Sequence, residues 1–238
     1  SMVFEAVSYK NVVSNGLVLD KNGQKMSKRL GNAIDPFHTI SDFGPDATRW
    51  YMISNSNPWD NLKFDLGGVD EVKRKFFGTL YNTYSFFALY ANIDGFKYDE
   101  KEIEFDQRPE LDRWILSELN SLIINVDEFY NDYEPTKAAR AINTFVIDNL
   151  SNWYVRLSRR RFWKGDYEKD KISAFQTLFD VLINIAKLSA PISPFFMDRV
   201  FIDLSRNLNQ SFSESIHLEN FPVADKSKID KKLEEKVK

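Results

Sequence analysis

The sequence predicts a mainly α-helical fold, a bundle of amphipathic helices preceded by a small α/β segment with a β-hairpin. Three observations predict it. Apolar residues recur every three or four positions through long stretches from Gly68 onward. Only 9 Gly and 8 Pro occur among 238 residues, too few for the many tight turns of an all-β fold. Several of those prolines, including Pro36, Pro135 and Pro194, stand where the first turn of a helix tolerates them.

Residues 11–20 have β-branched and apolar residues at strand-like spacing, and Asn22-Gly23 follows, a turn pair in which both residues accept positive φ. A strand or hairpin therefore leads straight into Lys25. Asp35-Pro36 begins a short helix that runs to Phe43, and Gly44-Pro45-Asp46 restarts another through about Ser54. Residues 62–65 suit one more short strand. From Gly68 the period becomes helical: Val69, Val72, Phe76, Leu80, Tyr84 and Phe87 form one stripe, with Asp70/Arg74 and Glu71/Lys75 paired on the opposite face. Residues 94–110 are acidic and contain Gly95 and Pro109, which fits a loop. A second helix carries Leu111, Ile115, Leu119, Leu122, Val126 and Phe129, and a third starts at Pro135 and places Ala138, Ile142, Phe145, Asn149 and Trp153 on one stripe before stopping ahead of Gly165. A fourth uses Ile172, Phe175, Phe179, Leu182 and Ala186 and ends at Pro191; a fifth begins near Pro194. Residues 226–238 mix Lys with Glu and read as the start of a further helix or a frayed tail.

Composition excludes several classes of function. With no Cys there is no disulfide framework and no Cys-ligated zinc, and His38 and His217 are too far apart in sequence to suggest a metal cluster, so no metal ligands are expected. No apolar run approaches the roughly 20 residues that cross a bilayer, and no secretory signal opens the chain, so no membrane partner is expected. Ser1 ahead of Met2 reads as a remnant of tag removal. The formal charge of −3 rules out a globally basic nucleic-acid binder, leaving a local basic patch as the way to attract RNA.

Two patterns carry chemistry. Lys25-Met26-Ser27-Lys28 sets two ammonium groups three residues apart in a polar turn, followed by Gly31-Asn32. Such a loop brings two cations onto one phosphate chain, where they neutralise charge that builds as the α-phosphate is attacked. Spacing alone also suits ordinary solvated surface. The second pattern is Arg156, Arg159, Arg160, Arg161 and Lys164 interleaved with Trp153, Phe162 and Trp163: cations for phosphates and planar groups for bases. Cations in the last turn of a helix are equally favoured by its dipole, and the tryptophans equally suit a core.

The run from Asn15-Gly16 through Lys25-Met26-Ser27-Lys28-Arg29 to Gly31-Asn32, then Asp35-Pro36 and residues 43–49 (Phe-Gly-Pro-Asp-Ala-Thr-Arg), resembles the KMSKS-type loop and stem-contact segment of class I aminoacyl-tRNA synthetases. Arg29 departs from the commonest form, which has Ser there; both lysines stand. Residues 57–64, 76–83 and 152–163 resemble the isoleucine enzymes, with the valine enzymes as the alternative that Pro58-Trp59 argues against, and residues 190–195 are shared across the isoleucine, valine and leucine group. The resemblance covers residues 3–222. It implies three regions: 1–67, the loop and stem-contact segment at the end of a catalytic domain; 68–222, a helical anticodon-binding domain; and 223–238, a charged tail or the start of the next element. It further implies ATP phosphate contacts by Lys28, with Lys25 as its partner and Met26 and Ser27 positioning the loop, and Mg2+ accompanying ATP. The implied partners are isoleucine, ATP and tRNA(Ile), in a cytoplasmic monomer. The first class I signature, the amino-acid pocket and the editing domain lie outside this sequence, so the chain by itself is expected to be inactive. A tRNA-contacting face at Arg156, Arg159, Arg160, Arg161, Trp163 and Lys164 completes the expectation.

Overall fold

Asp35 opens the first helix by accepting the Phe37 N–H at 2.8 Å, and Pro36 occupies a first-turn position whose N–H would have no partner. The computed structural model describes residues 3, 5–206 and 212–237. Helices α1 (Pro36–Phe43) and α2 (Pro45–Asn55) meet at Gly44, where φ of 87° turns the chain between them. Strand β1 (Val18–Leu19) runs parallel to β2 (Leu62–Lys63), with Val18 opposite Leu62 and Leu19 opposite Lys63. Among the described residues the expected β-hairpin reduces to a tight turn closed by the single antiparallel bridge Leu19–Lys25. The returning arm builds no ladder because the Asn32 side chain takes up the Ser27 N–H and the Lys25 carbonyl that a second strand would use.

Asp65 caps the next helix by accepting the Gly67 N–H. That helix continues from α3 (Leu66–Val72) through π-helical turns at Lys73–Phe77 into α4 (Gly78–Asp94). A wider turn lessens the angle between successive residues, so neighbouring Phe76 and Phe77 both face Trp50; the Phe76 ring stacks on it with centroids 4.0 Å apart. Helix α5 (Glu110–Asn131) follows. Then α6 (Pro135–Thr144), π-helical turns at Phe145–Val155 and α7 (Arg156–Trp163) form one continuous rod. Helices α8 (Lys169–Ser189), α9 (Pro194–Ser205) and α10 (Lys231–Val237) complete the bundle.

The third predicted stripe needs correction. Ala138, Ile142 and Phe145 of that stripe are buried as expected, but beyond them the inward line of the α6–α7 rod runs through Val146, Leu150, Tyr154, Ser158 and Phe162 at a spacing of four, whereas Asn149 lies at the edge and Trp153 is 45% exposed. Sequence spacing assumes 3.6 residues per turn; the π-helical turns hold more, and the inward face slips by one residue. Contrary to expectation, helix α8 has the length and hydropathy of a membrane span; it is largely buried and forms the centre of the bundle, with Ala174, Phe175, Leu178, Leu182 and Ile185 inside. Among the described residues, 231–237 form helix α10 and not a loose tail. Glu234 of α10 is buried against α5, accepting from Ser117 Oγ at 2.6 Å and Ser121 Oγ at 2.8 Å while Lys231 Nζ pairs with its other oxygen at 2.8 Å.

Helix α2 joins the small segment to the bundle at both ends. At its start the Asp46 carboxylate accepts the Phe196 N–H at 2.5 Å and so caps α9, and Arg49 Nε donates to the Ile192 carbonyl at 2.8 Å. At its end Thr136 Oγ1 donates to Ile53 and Ser56 carbonyls, and Arg140 donates to those of Ser54 and Asn55. These α6 side chains satisfy carbonyls that the end of a helix leaves without partners.

Glu219 fastens the last stretch before α10. The Ser213 N–H donates to it at 2.8 Å and Lys187 Nζ of α8 at 2.9 Å; these bonds hold its carboxyl down at about 2, below the ordinary 4.5. A depressed folded pKa gives stability that is complete above pH 4.5 and fades as pH falls towards 2. Glu219→Gln should therefore lower the thermal midpoint at neutral pH, by the equivalent of about 1.5–3 kcal/mol for a lost charged hydrogen bond. The gap to the unaltered chain should be smaller at pH 3 than at pH 7, as melts at the two pH values will measure.

Candidate functional site

The polar turn after β1 is organised by Asp20, the last residue before it. Its Oδ1 accepts the N–H groups of Asn22 at 3.0 Å and Gln24 at 2.8 Å, and its Oδ2 accepts Asn32 Nδ2 at 2.9 Å. The Gln24 and Asn32 bonds hold its carboxyl below the ordinary range. Asn32 in turn accepts the Ser27 N–H at 2.8 Å and donates to the Lys25 carbonyl at 3.3 Å. Ser27 caps a short 3₁₀ turn, Lys28–Leu30, by accepting the Arg29 N–H, and Gly31 ends that turn at φ 69°.

All four predicted loop residues thus fall within one ordered turn. Lys25 and Lys28 are exposed, and neither ammonium group makes a hydrogen bond or ion pair with another described residue. Met26 points the other way. It packs on the core beside an apolar cavity of about 210 Å³ lined in part by Ile34, Pro36, Ile40, Met52 and Phe64. A loop anchored by Met26 and by the Asp20–Asn32 pair presents two unpaired cations to solvent, the chemistry required to bind a polyphosphate. Asp20 and Asn32 are not singled out by the sequence, since neither stands at a periodic position, although both fall within the run that resembles the class I loop.

The basic run divides. Arg161 turns inward and forms a bidentate pair with Asp112 at 2.6 and 2.8 Å, with a further bond to Asp170 at 3.0 Å. Burial works against its charge, and the Asp112 bonds outweigh that, holding the guanidinium above its ordinary range. Arg156, Arg159, Arg160 and Lys164 are exposed and make no side-chain hydrogen bond or ion pair with other described residues. Trp153 and Trp163, the latter 52% exposed, stand beside them, and Phe162 is fully buried. Trp153, Arg156, Arg160 and Trp163 follow at three- and four-residue spacing on one side of the rod. Among the described residues no three His, Cys, Asp or Glu side chains are grouped to hold a metal, and both His38 and His217 are exposed.

Arg161→Gln should destabilise the chain by about 3–5 kcal/mol, since it leaves the buried Asp112 charge without its counter-ion. Arg159→Gln should stay within about 0.5 kcal/mol of the unaltered chain. Urea unfolding midpoints of the two variants test the division between inward and outward arginines.

Comparison with known proteins bears on both patterns. Residues 112–238 match the family model described as the anticodon-binding domain of tRNA ligase, and residues 1–65 match that of class I tRNA synthetases for I, L, M and V. The isoleucine–tRNA ligase of Bacteroides thetaiotaomicron is 64% identical over 98% of this chain and 20% of its own length. That of Porphyromonas gingivalis is 63% identical over 99% and 20%, and that of Thermus thermophilus 42% over 98% and 22%. The chain spans about a fifth of the length of these curated relatives. They favour the isoleucine reading over the valine one. In fold it is similar to the LeuRS of Agrobacterium radiobacter, solved in a ternary complex with tRNA and LeuAMS, with a TM-score of 0.64 and 19% identity over 91% of this chain and 24% of that one.

Proposed function

Because this chain belongs to the anticodon-binding domain family of tRNA ligases, we propose that it is the part of an isoleucine–tRNA ligase that contacts the ATP phosphates and grips the anticodon arm of tRNA(Ile). The observation that carries this reading is the pair of unpaired lysines, Lys25 and Lys28, on a turn held by Asn32 and Ser27. In the complete ligase the isoleucine carboxylate attacks the α-phosphate of ATP, forming the mixed anhydride and releasing pyrophosphate. A ribose hydroxyl at the tRNA terminus then takes the acyl group and releases AMP. Lys28 is the principal contact to the departing phosphates and Lys25 its partner; Met26 and Ser27 set the loop's orientation. Their worth is greatest where charge accumulates on the leaving group, so they act on the rate of the step more than on ground-state binding. Mg2+ would accompany ATP, and among the described residues no three His, Cys, Asp or Glu side chains group to hold it. The exposed basic face of α7, with Arg156, Arg159, Arg160, Lys164 and Trp163, meets the RNA, and Arg161 holds that face in place. The ligase is proposed to work in the cytoplasm as a monomer.

In the full-length ligase, Lys28→Ala should slow isoleucine-dependent pyrophosphate exchange by about 10²–10³-fold in kcat, with a smaller change in KM for ATP. The chain alone should give no exchange, since phosphate contacts without a positioned carboxylate promote no attack. Isoleucine-dependent exchange by the isolated chain would overturn this division of labour. Its competitor is a non-catalytic tRNA-binding module, which Lys28→Ala would leave fully functional.

Reversing charge at Arg156 and Arg160 should weaken tRNA binding to the chain. It should also flatten the salt dependence, each lost phosphate contact lowering the slope of log K against log salt by roughly one unit or slightly less. A folded double variant with an unchanged slope would place the RNA-binding face elsewhere on the bundle.

A further inference from the structure

The two lysines owe their placement to an acidic and an uncharged side chain, Asp20 and Asn32, that bond to each other and to the backbone of the turn. Asp20 directly follows β1 and is only 8% exposed, and it is tied to the parallel pairing through Leu19, whose carbonyl accepts the Phe64 N–H at 2.9 Å. From that fixed point the Asp20 carboxylate holds Asn32, and Asn32 holds both the Lys25 carbonyl and the Ser27 N–H. Ser27 then caps the turn on which Lys28 stands. Gly31, at φ 69°, lets the chain double back so that residue 32 reaches the turn that precedes it.

We infer that Asp20 and Asn32 are positioning residues for the adenylation step, a polar clamp that transmits the rigidity of β1 to Lys25 and Lys28. The inference rests on the reading of those lysines as phosphate contacts. The chemistry of position 32 is narrow. Its side chain must donate to a carboxylate and accept from a backbone N–H at once, which an amide does and neither a carboxylate nor an alkyl group does. A carboxylate there would face that of Asp20 with no proton between them. Exchanging the two residues restores the bond with its polarity reversed. An amide at position 20 would still accept from the N–H groups of Asn22 and Gln24 and would donate to a carboxylate at position 32. The other oxygen of that carboxylate would accept from Ser27, and only the 3.3 Å contact to the Lys25 carbonyl would be lost.

The test uses Asn32→Asp, Asp20→Asn and the double exchange, read in two ways. In the full-length ligase, Asn32→Asp should lower kcat for isoleucine-dependent pyrophosphate exchange by about tenfold to a hundredfold, the scale of a displaced catalytic group, with KM for isoleucine unchanged. The double exchange should recover most of the loss. In this chain, trypsin cleavage after Lys25, Lys28 and Arg29 should quicken in Asn32→Asp and return towards the original rate in the double exchange, at a thermal midpoint that stays constant throughout. An Asn32→Asp variant with unaltered kcat and cleavage rate would overturn the clamp, as would a double exchange that adds the two losses. Unfolding of Asn32→Asp would also overturn it, because the pair would then hold the fold rather than the loop. If Lys28→Ala keeps full exchange activity, the phosphate reading fails by itself, and the cleavage rates still decide whether the clamp holds the turn.

Discussion

Asp112 stands in the first turn of α5 with no exposure to solvent, and three segments converge on its carboxylate: Tyr154 from the π-helical turns, Arg161 from α7 and Ser173 from α8. A buried charge is tolerated only when its oxygens are fully engaged, and here both oxygens are. The helix N-terminus adds a favourable dipole. Burial and the neighbouring carboxylate push the Tyr154 hydroxyl well above its ordinary range, so it stays a donor. The orientation of α7 follows from this one site. With Arg161 drawn inward and Ser158 and Phe162 buried beside it, helical geometry turns Arg156, Arg159 and Arg160 outward, so the exposed basic face is a by-product of an internal ion pair.

That dependence explains what is legible in the sequence and what is not. Helix starts at Pro36, Pro45, Pro135 and Pro194 are readable because proline and its preceding residue act locally, and the stripe Val69, Phe76, Leu80, Phe87 is readable because the π-helical stretch between α3 and α4 is only five residues long and leaves these residues buried on one face. Leu150 and Tyr154 are missed as core because the winding of the rod between them departs from 3.6 residues per turn, a property set by packing against other helices. The parallel pairing of Val18 with Leu62 joins residues more than forty positions apart, and local turn chemistry at Asn22-Gly23 points to a hairpin instead.

At the candidate site the same distinction holds. Lys25 and Lys28 are singled out because the loop carries a recognisable order of residues. The inward turn of Arg161 cannot be read, since Asp112 lies 49 positions away and nothing in the spacing of the arginines separates one from its neighbours. Likewise Asn32 is an ordinary loop residue in sequence, and only the fold reveals that its amide spans Asp20, Lys25 and Ser27.

Helix α2 has its first turn bonded to α9 and to the carbonyls before it, and its last turn held by α6. A rod pinned at both ends to two different parts of a bundle cannot pivot independently of it. Mechanically, α2 is a strut, and the turn carrying Lys25 and Lys28 rests on that strut through Met26 and its apolar neighbours. Any tilt imposed on the bundle by a load at its far side is therefore passed to the cationic turn as a rigid displacement, without a hinge in between to absorb it.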